Sequence, residues 1–382
     1  MRGSDAYVVA AVRTPLGRRD GALSGWHPAD LGAHVLLGVL ERAGVDPGAV
    51  DDVIFGCVDQ VGAQAGNLAR TAWLSAGLPE HVPGTTVDRQ CGSSQQAVHV
   101  AAQGIMAGSY DVAIAGGVEV MSLVPLLAAT QAALGLGTPL SGRGWTRRYG
   151  DGEVSQFRGA ELLIEQHSID RGRMDAFALR SHQRATAAQR DGRLAQEIAA
   201  VDGFANDECI RADASLARME ALGPVFPDGT ITAAQCSQIS DGAAALVLAS
   251  EEALRRHRLT PLARVAALGL GAADPITMLS GPIPATEAVL RRAGLTIGEI
   301  GRFEVNEAFA PVVLAWADAV GADLSRTNVR GGAIALGHPL GASGARIMTS
   351  LVHELQASGA RYGLQTICEW GGTANATVLE RV

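Results

Sequence analysis

Lysine is absent from this chain, and all 31 basic residues are arginine. Schiff-base chemistry, a pyridoxal-phosphate anchor and a Walker-type phosphate loop each need an amine at one fixed place, so all three are excluded. Cysteine is scarce. Cys57, Cys91, Cys209, Cys236 and Cys368 are odd in number, widely scattered and without a C-x-x-C pair. Neither a disulfide framework nor a zinc site is indicated, and no metal is expected. Positive charge is in deficit: 31 basic against 39 acidic residues leave a formal net charge of -8. Such a balance offers no broad face for nucleic acid or an anionic membrane, so any phosphate-bearing ligand must be met locally. No apolar run is long enough to span a bilayer, and "DAYVVAAVRTP" near the N-terminus reads as a strand, with no signal-peptide core behind a basic start. The expected setting is a reducing cytoplasm, with neither nucleic acid nor membrane as partner.

What is present points to an α/β protein. At 382 residues the chain is too long for one ordinary core, and 47 glycines beside 47% hydrophobic residues suit many tight strand-to-helix turns. "AYVVAAV", "VDDVIFGCV", "GTTVDRQ" and "YDVAIAGG" read as strands. Between them "PADLGAHVLLGVLERAG", "NLARTAWLSAG" and residues 93–107 read as helices. The alternation predicts a mostly parallel sheet covered by helices. From 120 to 230 the rhythm gives way to Gly/Pro/Arg-rich loops and Arg/Gln/Ala-rich helices, an insertion on the core. The opening series then recurs: "CGSSQQAVHVAAQGIMAGSYDVAIAGG" and the run from Gly341 to Gly372 both go small-residue turn, helix, Tyr-containing turn, strand, Gly-Gly. Two diverged copies of one unit are expected. The predicted division is 1–119 with 231–252 as a first half, 120–230 as the insertion and 253–382 as a second half.

Four stretches carry chemistry. In "TTVDRQCGSSQQA", Cys91 precedes Gly92, Ser93 and Ser94 at the start of a helical pattern. Unpaired N–H groups and the helix dipole favour an anion there, so a thiol pKa lowered toward a nucleophilic thiolate is the expectation, against the alternative of a buried structural cysteine. "GGAIALGHPLGASG" sets His338 on a glycine-rich turn open to close backbone approach. "EVNEAFAP" ends a strand with Asn306, an amide able to hold a water or orient an imidazole. "TICEWGG" ends a buried strand with Cys368, a second thiol able to exchange protons with a sulfur substrate or else simply pack in the core.

Together these stretches resemble the thiolase family across almost the full length, with "RTPLGR", "VDRQCGSSQQA", "SQISDGAAA", "NEAFAP", "GGAIALGHPLGASGAR" and "CEWGG" in order. The pattern is similar to bacterial degradative thiolases. The resemblance implies duplicated α/β halves in a five-layer α-β-α-β-α core with an inserted loop domain that binds coenzyme A. It implies acetyl-CoA C-acyltransfer: thiolytic cleavage of a 3-ketoacyl-CoA, or the reverse condensation, through an acyl-cysteine. By resemblance Cys91 is the nucleophile, His338 its base, and Asn306 the holder of an oxyanion-site water. Cys368 is the acid/base toward acetyl-CoA and CoA, and the backbone N–H groups of Cys91 and Trp370 form a second oxyanion site. Arg211, Phe226, Ala233, Ser237 and Phe309 match positions that hold CoA, a co-substrate rather than a bound cofactor. The partners implied are acyl-CoA, CoA and further copies of the chain in a homodimer or dimer of dimers, with "GAQAGNLART" in the region that meets the twofold partner. Two features depart from the family pattern: Trp370 stands where a glycine is usual, and Ser94 does likewise. An acetoacetyl-CoA-specific biosynthetic thiolase and a non-catalytic acyl-CoA-binding protein are the alternative readings; a decarboxylating synthase on the same architecture lacks a counterpart of Cys368.

Overall fold

The computed structural model describes residues 5–130 and 134–382. The first half contributes β1 (Ala6–Arg13), β2 (Gly17–Arg18), β3 (Asp52–Gly56), β4 (Gly84–Val87), β5 (Val112–Val120) and β6 (Ser240–Ser250). The second contributes β7 (Ala263–Ala272), β8 (Arg302–Val305), β9 (Tyr362–Glu369) and β10 (Thr373–Arg381). The helices are α1 (Pro28–Ala43), α2 (Leu68–Ser75), α3 (Ser93–Met106), α4 (Arg143–Tyr149), α5 (Gln156–His167), α6 (Arg171–Arg190) and α7 (Leu216–Glu220), then α8 (Glu251–His257), α9 (Pro282–Ala293), α10 (Ala310–Val320), α11 (Ala333–Leu336) and α12 (Leu340–Ser358).

The hydrogen-bonded strand order is β4-β3-β5-β6-β1-β7-β10-β9-β8, with β2 paired to β6. At its middle, β1 meets β7 through only two residue pairs, Tyr7 with Arg264 and Val8 with Ala263. On either side of that join the halves share one topology. β1, β6, β5 and β3 correspond to β7, β10, β9 and β8, and the place of β4 is taken by a single parallel bridge from Phe303 to Thr327. A second repeat shows why. "LERAGVDPGAVDDVIFG" and "LRRAGLTIGEIGRFEVN" each end a helix on a left-handed glycine, Gly44 at φ 64° and Gly294 at φ 67°, then pass a short 3-10 turn into a strand.

Five layers follow from where the apolar side chains go. α1 and α2 bury Leu31, Val35, Leu36 and Trp73 on one face of the first sheet. α3 and α12 bury Val98, Ile105, Met348, Leu351 and Leu355 between the sheets. α9 and α10 bury Val289, Val313 and Trp316 on the far face of the second sheet. The expectation of a mostly parallel sheet is corrected: among the described residues six ladders are antiparallel and only β3–β4, β3–β5 and β8–β9 are parallel. Helical crossovers give the three parallel pairs, whereas β9 turns straight back into β10, and β6 returns beside β5 after the long excursion.

Between β5 and β6 lie α4 to α7. Arg13, at the end of β1, holds part of this segment: its Nη1 and Nη2 meet Asp207 at 2.7 and 2.9 Å, and its Nε meets Glu197 at 2.9 Å, all fully buried. From Glu197 the charges continue to Arg330 at 3.7 Å, then to Glu354 of α12 at 3.0 Å and to Arg302 of β8 at 2.8 Å. One chain of ion pairs therefore ties the first strand to both the excursion and the second half.

Candidate active site

The turn before α3 explains how Cys91 is presented. Gln90 has φ 50°, in the left-handed region that costs a non-glycine residue about 1–2 kcal/mol. Asp88 Oδ1 holds the Gln90 N–H at 2.7 Å, and the Gln90 carbonyl accepts from Ser93 Oγ at 2.6 Å. Cys91 then stands one residue before the helix cap Gly92 and is only 3% exposed. It shares a small apolar cluster with Met121, Leu340, Ile347 and Ile367, so the start of α3, the start of α12 and the end of β9 converge on it.

Burial decides its charge. Desolvation, seconded by Glu369, pushes the Cys91 thiol up to about 12, against a hydrogen bond from the Gln156 side chain that favours the thiolate. The expected depression at the helix end is thus corrected: with so little solvent at the sulfur, the dipole does not offset the lost hydration. The Cys368 thiol, 0% exposed, is likewise raised by burial and by the neighbouring Cys91, which places both sulfurs in one electrostatic site.

His338 is held between Gly337, at φ 106°, and Pro339. Its N–H donates to the Gln238 carbonyl at 3.0 Å, and the Gln238 amide in turn donates to the Cys209 and Ile334 carbonyls at 2.9 Å each. Ser343 Oγ donates to the Pro339 carbonyl at 2.8 Å and so accepts from His338 Nδ1 at 2.6 Å. That fixes the proton on Nδ1 and leaves the lone pair on Nε2, which lies 3.3 Å from Asn306 Nδ2. The Asn306 amide is thus within hydrogen-bond reach of the imidazole. Burial lowers His338 to about 3, with Arg346 adding to the effect, so the imidazole is neutral.

Trp370 is half-buried and packs on the cluster that contains Cys368 and Phe309. Its backbone is not in the left-handed region, whereas Gly371 and Gly372 are at φ 85° and 84°. Only those two positions of the turn demand glycine, which is why a tryptophan is tolerated at the first.

The residues matched to CoA binding fall in two places. Phe309 stacks edge-on against Phe157 at 5.3 Å, and Phe157 against Phe226 at 6.3 Å. Cys236 bridges to Phe309, and the Ser237 N–H donates to the Ala308 carbonyl at 2.9 Å; exposed Ala233 opens the adjacent 3-10 turn. Arg211 lies elsewhere, lining a cavity of about 160 Å³ with His182, Gln183 and Arg190, and none of the three phenylalanines reaches it. Its N–H donates to His182 Nδ1 at 3.2 Å.

Four residues are not singled out by the sequence: Gln156, Phe157, and, inside the quoted motifs themselves, Ser343 and Glu369. Glu369 carried a signal, a carboxylate inside an otherwise buried strand. Ser343, five residues after His338, carried none beyond proximity.

Two buried thiols in one electrostatic site, and a neutral imidazole of fixed tautomer on the turn into α12, whose Leu340 packs on Cys91, are groups suited to acyl transfer through sulfur. The chain belongs to the thiolase family: the family models for the thiolase N-terminal and C-terminal domains match residues 6–252 and 259–381. Among its relatives, the protein named steroid 3-ketoacyl-CoA thiolase FadA6, from Mycobacterium tuberculosis, is 53% identical over 99% of this chain and 95% of its own length. The Bacillus anthracis acetyl-CoA acetyltransferase superposes with a TM-score of 0.89 at 35% identity, covering 100% of both chains. Human mitochondrial 3-ketoacyl-CoA thiolase, solved in complex with CoA, also gives 0.89 at 36% identity, over 99% of this chain and 98% of that one.

Proposed function

We propose that this thiolase cleaves 3-ketoacyl-CoA with free CoA, giving acetyl-CoA and a shortened acyl-CoA. The observation that carries the reading is the electrostatic pairing of buried Cys91 and Cys368, with neutral His338 two residues before Leu340, which packs on Cys91. Nε2 of His338 takes the Cys91 proton as the sulfur attacks the 3-keto carbon. The carbon–carbon bond then breaks, and the acetyl-CoA carbanion takes the Cys368 proton, leaving an acyl-Cys91 thioester. Incoming CoA returns a proton to Cys368 and attacks the thioester; Cys91 leaves and recovers its proton from His338. The Cys91 and Trp370 N–H groups stabilise the thioester oxyanion, and Asn306 with His338 the other.

Residues 120–230 serve as the CoA-binding insertion. Phe226, Phe309, Ala233 and Ser237 flank the pantetheine arm, and Arg211 meets the adenine nucleotide, where an acidic protein needs a local cation. The protein works in a reducing cytoplasm, which five free cysteines suit, and among the described residues no helix is long and apolar enough to cross a membrane. It pairs through residues 62–71 and β4, whose outer edge ends the sheet.

The test is the loss of enolate absorbance from acetoacetyl-CoA, longer linear 3-ketoacyl-CoAs and ring-bearing ones, with CoA present. Turnover is expected, and the acyl mass should sit on the Cys91 peptide when CoA is withheld. Consumption of acetoacetyl-CoA alone would show a short-chain biosynthetic enzyme. Binding without turnover would show a non-catalytic relative, and full turnover by Cys368→Ala would remove the second thiol from the mechanism.

A further inference from the structure

Glu369 is a carboxylic acid buried where nothing requires one. The residue is 0% exposed at the end of β9, directly after Cys368 and with its side chain on the opposite face of the strand. One oxygen, Oε2, accepts from Thr373 Oγ1 of β10 at 2.6 Å. The other, Oε1, accepts no hydrogen bond from the described residues. It lies against Gly92: a Cβ added there would overlap Oε1 and come within 2.8 Å of Cδ. The glycine after the nucleophile is therefore needed to admit this carboxyl group. A buried carboxyl oxygen short of donors is destabilising, so its presence here calls for a use.

Its surroundings show what it can act on. Along the same face of β10, Asn375 Nδ2 donates to Gln96 Oε1 at 3.1 Å, and Thr377 Oγ1 meets Gln95 Nε2 and His99 Nε2 at 2.8 Å each. This polar seam fastens α3 to the second half, and Glu369 is its end nearest Cys91. The titratable and charged groups about it are Asp88 and Arg89 in the turn before α3, Cys91 at the head of that helix, Cys368 on its own strand and, farther along the seam, His99, held neutral at about 3 by burial.

We infer that Glu369 is a positioning residue of the acyl-transfer site: it braces the first turn of α3 from the second half, and its ionisation sets how readily Cys91 gives up its proton. Burial holds Glu369 at about 7, with Thr373, Arg89 and the Asn375 N–H drawing it down and Asp88 pushing it up. Below that pH the carboxyl is neutral and leaves Cys91 alone. Above it a negative charge faces the thiol, and a thiolate beside it is disfavoured. Sulfur nucleophilicity then stops rising with pH over an interval where an isolated thiol gains tenfold per unit. The inference rests on Cys91 being the nucleophile.

The test is the rate of Cys91 alkylation by iodoacetamide from pH 6 to 9, read as mass on the Cys91 peptide, in wild type and Glu369→Gln. This reads the thiol whether or not the protein turns over acyl-CoA, so its failure is distinct from failure of the proposed reaction. The two proteins should react alike at pH 6, and the variant about tenfold faster at pH 9. The wild-type profile should show a shoulder near pH 7 that the variant lacks. A ratio that is the same at both pH values would reduce Glu369 to a packing residue and overturn the inference. Thr373→Val provides the second arm if Glu369→Gln does not fold: losing the hydrogen bond should move the shoulder to higher pH, and an unmoved shoulder counts against the coupling.

Discussion

Cys91 and His338 are both neutral in the free protein, for the same reason: each is almost fully buried, and charge on either is penalised. Both therefore rest neutral, a thiol and an imidazole, and in the proposed reaction the proton moves only as the sulfur attacks. That places a demand on the imidazole's orientation, which Ser343 meets by accepting from Nδ1. Ser343→Ala should lower kcat about 10- to 100-fold with little change in KM or thermal stability, because the ring is freed to the wrong tautomer while its packing stays. A drop in KM-controlled binding instead, with kcat unchanged, would show that the hydroxyl serves the substrate. At this scale the sequence was legible for Cys91, His338 and Cys368 as reactive types in suggestive turns. The direction of the Cys91 shift was not, since helix position is written in the local sequence and burial is produced by distant residues such as Leu340 and Ile367.

Helix stops are legible in the sequence because they are local, whereas the last strand, β10, is not marked there and β3 and β4 are shorter than the runs read as strands. The glycine after α1 and the one after α9 sit where left-handed caps are needed. The strand directions were misjudged, since pairing depends on which neighbour a strand returns to. The β9–β10 turn is the clearest case: Gly371 and Gly372 are fixed by backbone, while Trp370 is free to vary. Its ring shares a cluster with Cys368 and Phe309, so it forms part of a wall near the reacting groups. Trp370→Gly should raise kcat/KM about tenfold for bulky 3-ketoacyl-CoAs relative to linear ones. A uniform change across a series of rising bulk would show that the ring does not select substrate. The clamp at the end of β1 makes a different claim. Arg13→Ala leaves Glu197 and Asp207 buried without their cation, which should cost about 3–5 kcal/mol in urea unfolding. A loss under 1 kcal/mol would mean that Arg330 takes over both carboxylates.

Across the whole molecule the duplication sets where charge is hidden, because the seam between the halves is the deepest part of the protein. His99 and His338 are lowered to about 3 there, while Glu119 and Glu369 are raised to about 7 and Glu304 to about 8, all chiefly by burial. None of this was legible in the sequence, where these acids and histidines sit among ordinary apolar residues, since burial arises only when the two halves close. The two groups pull stability in opposite directions. An unfolded histidine takes up a proton near pH 6.5 that the folded one refuses until about 3, so the histidine contribution is complete above 6.5 and is lost as pH falls toward 3. An unfolded glutamic acid releases its proton near 4.5, whereas the buried ones hold theirs to about 7 or 8; their contribution is complete below 4.5 and is lost as pH rises through that range. The two slopes oppose each other between 4.5 and 6.5. Ion pairs at the surface are screened and shift this balance little. With three glutamic acids against two histidines the fall outweighs the rise over most of that interval, so the urea midpoint should be highest near pH 5 and decline in both directions. His99→Gln should flatten the acid limb and leave the decline from pH 6.5 to 8 in place. Midpoints that keep rising through pH 8 would show that the buried carboxyl groups ionise in the folded protein, and with them that the seam admits more water than its packing suggests.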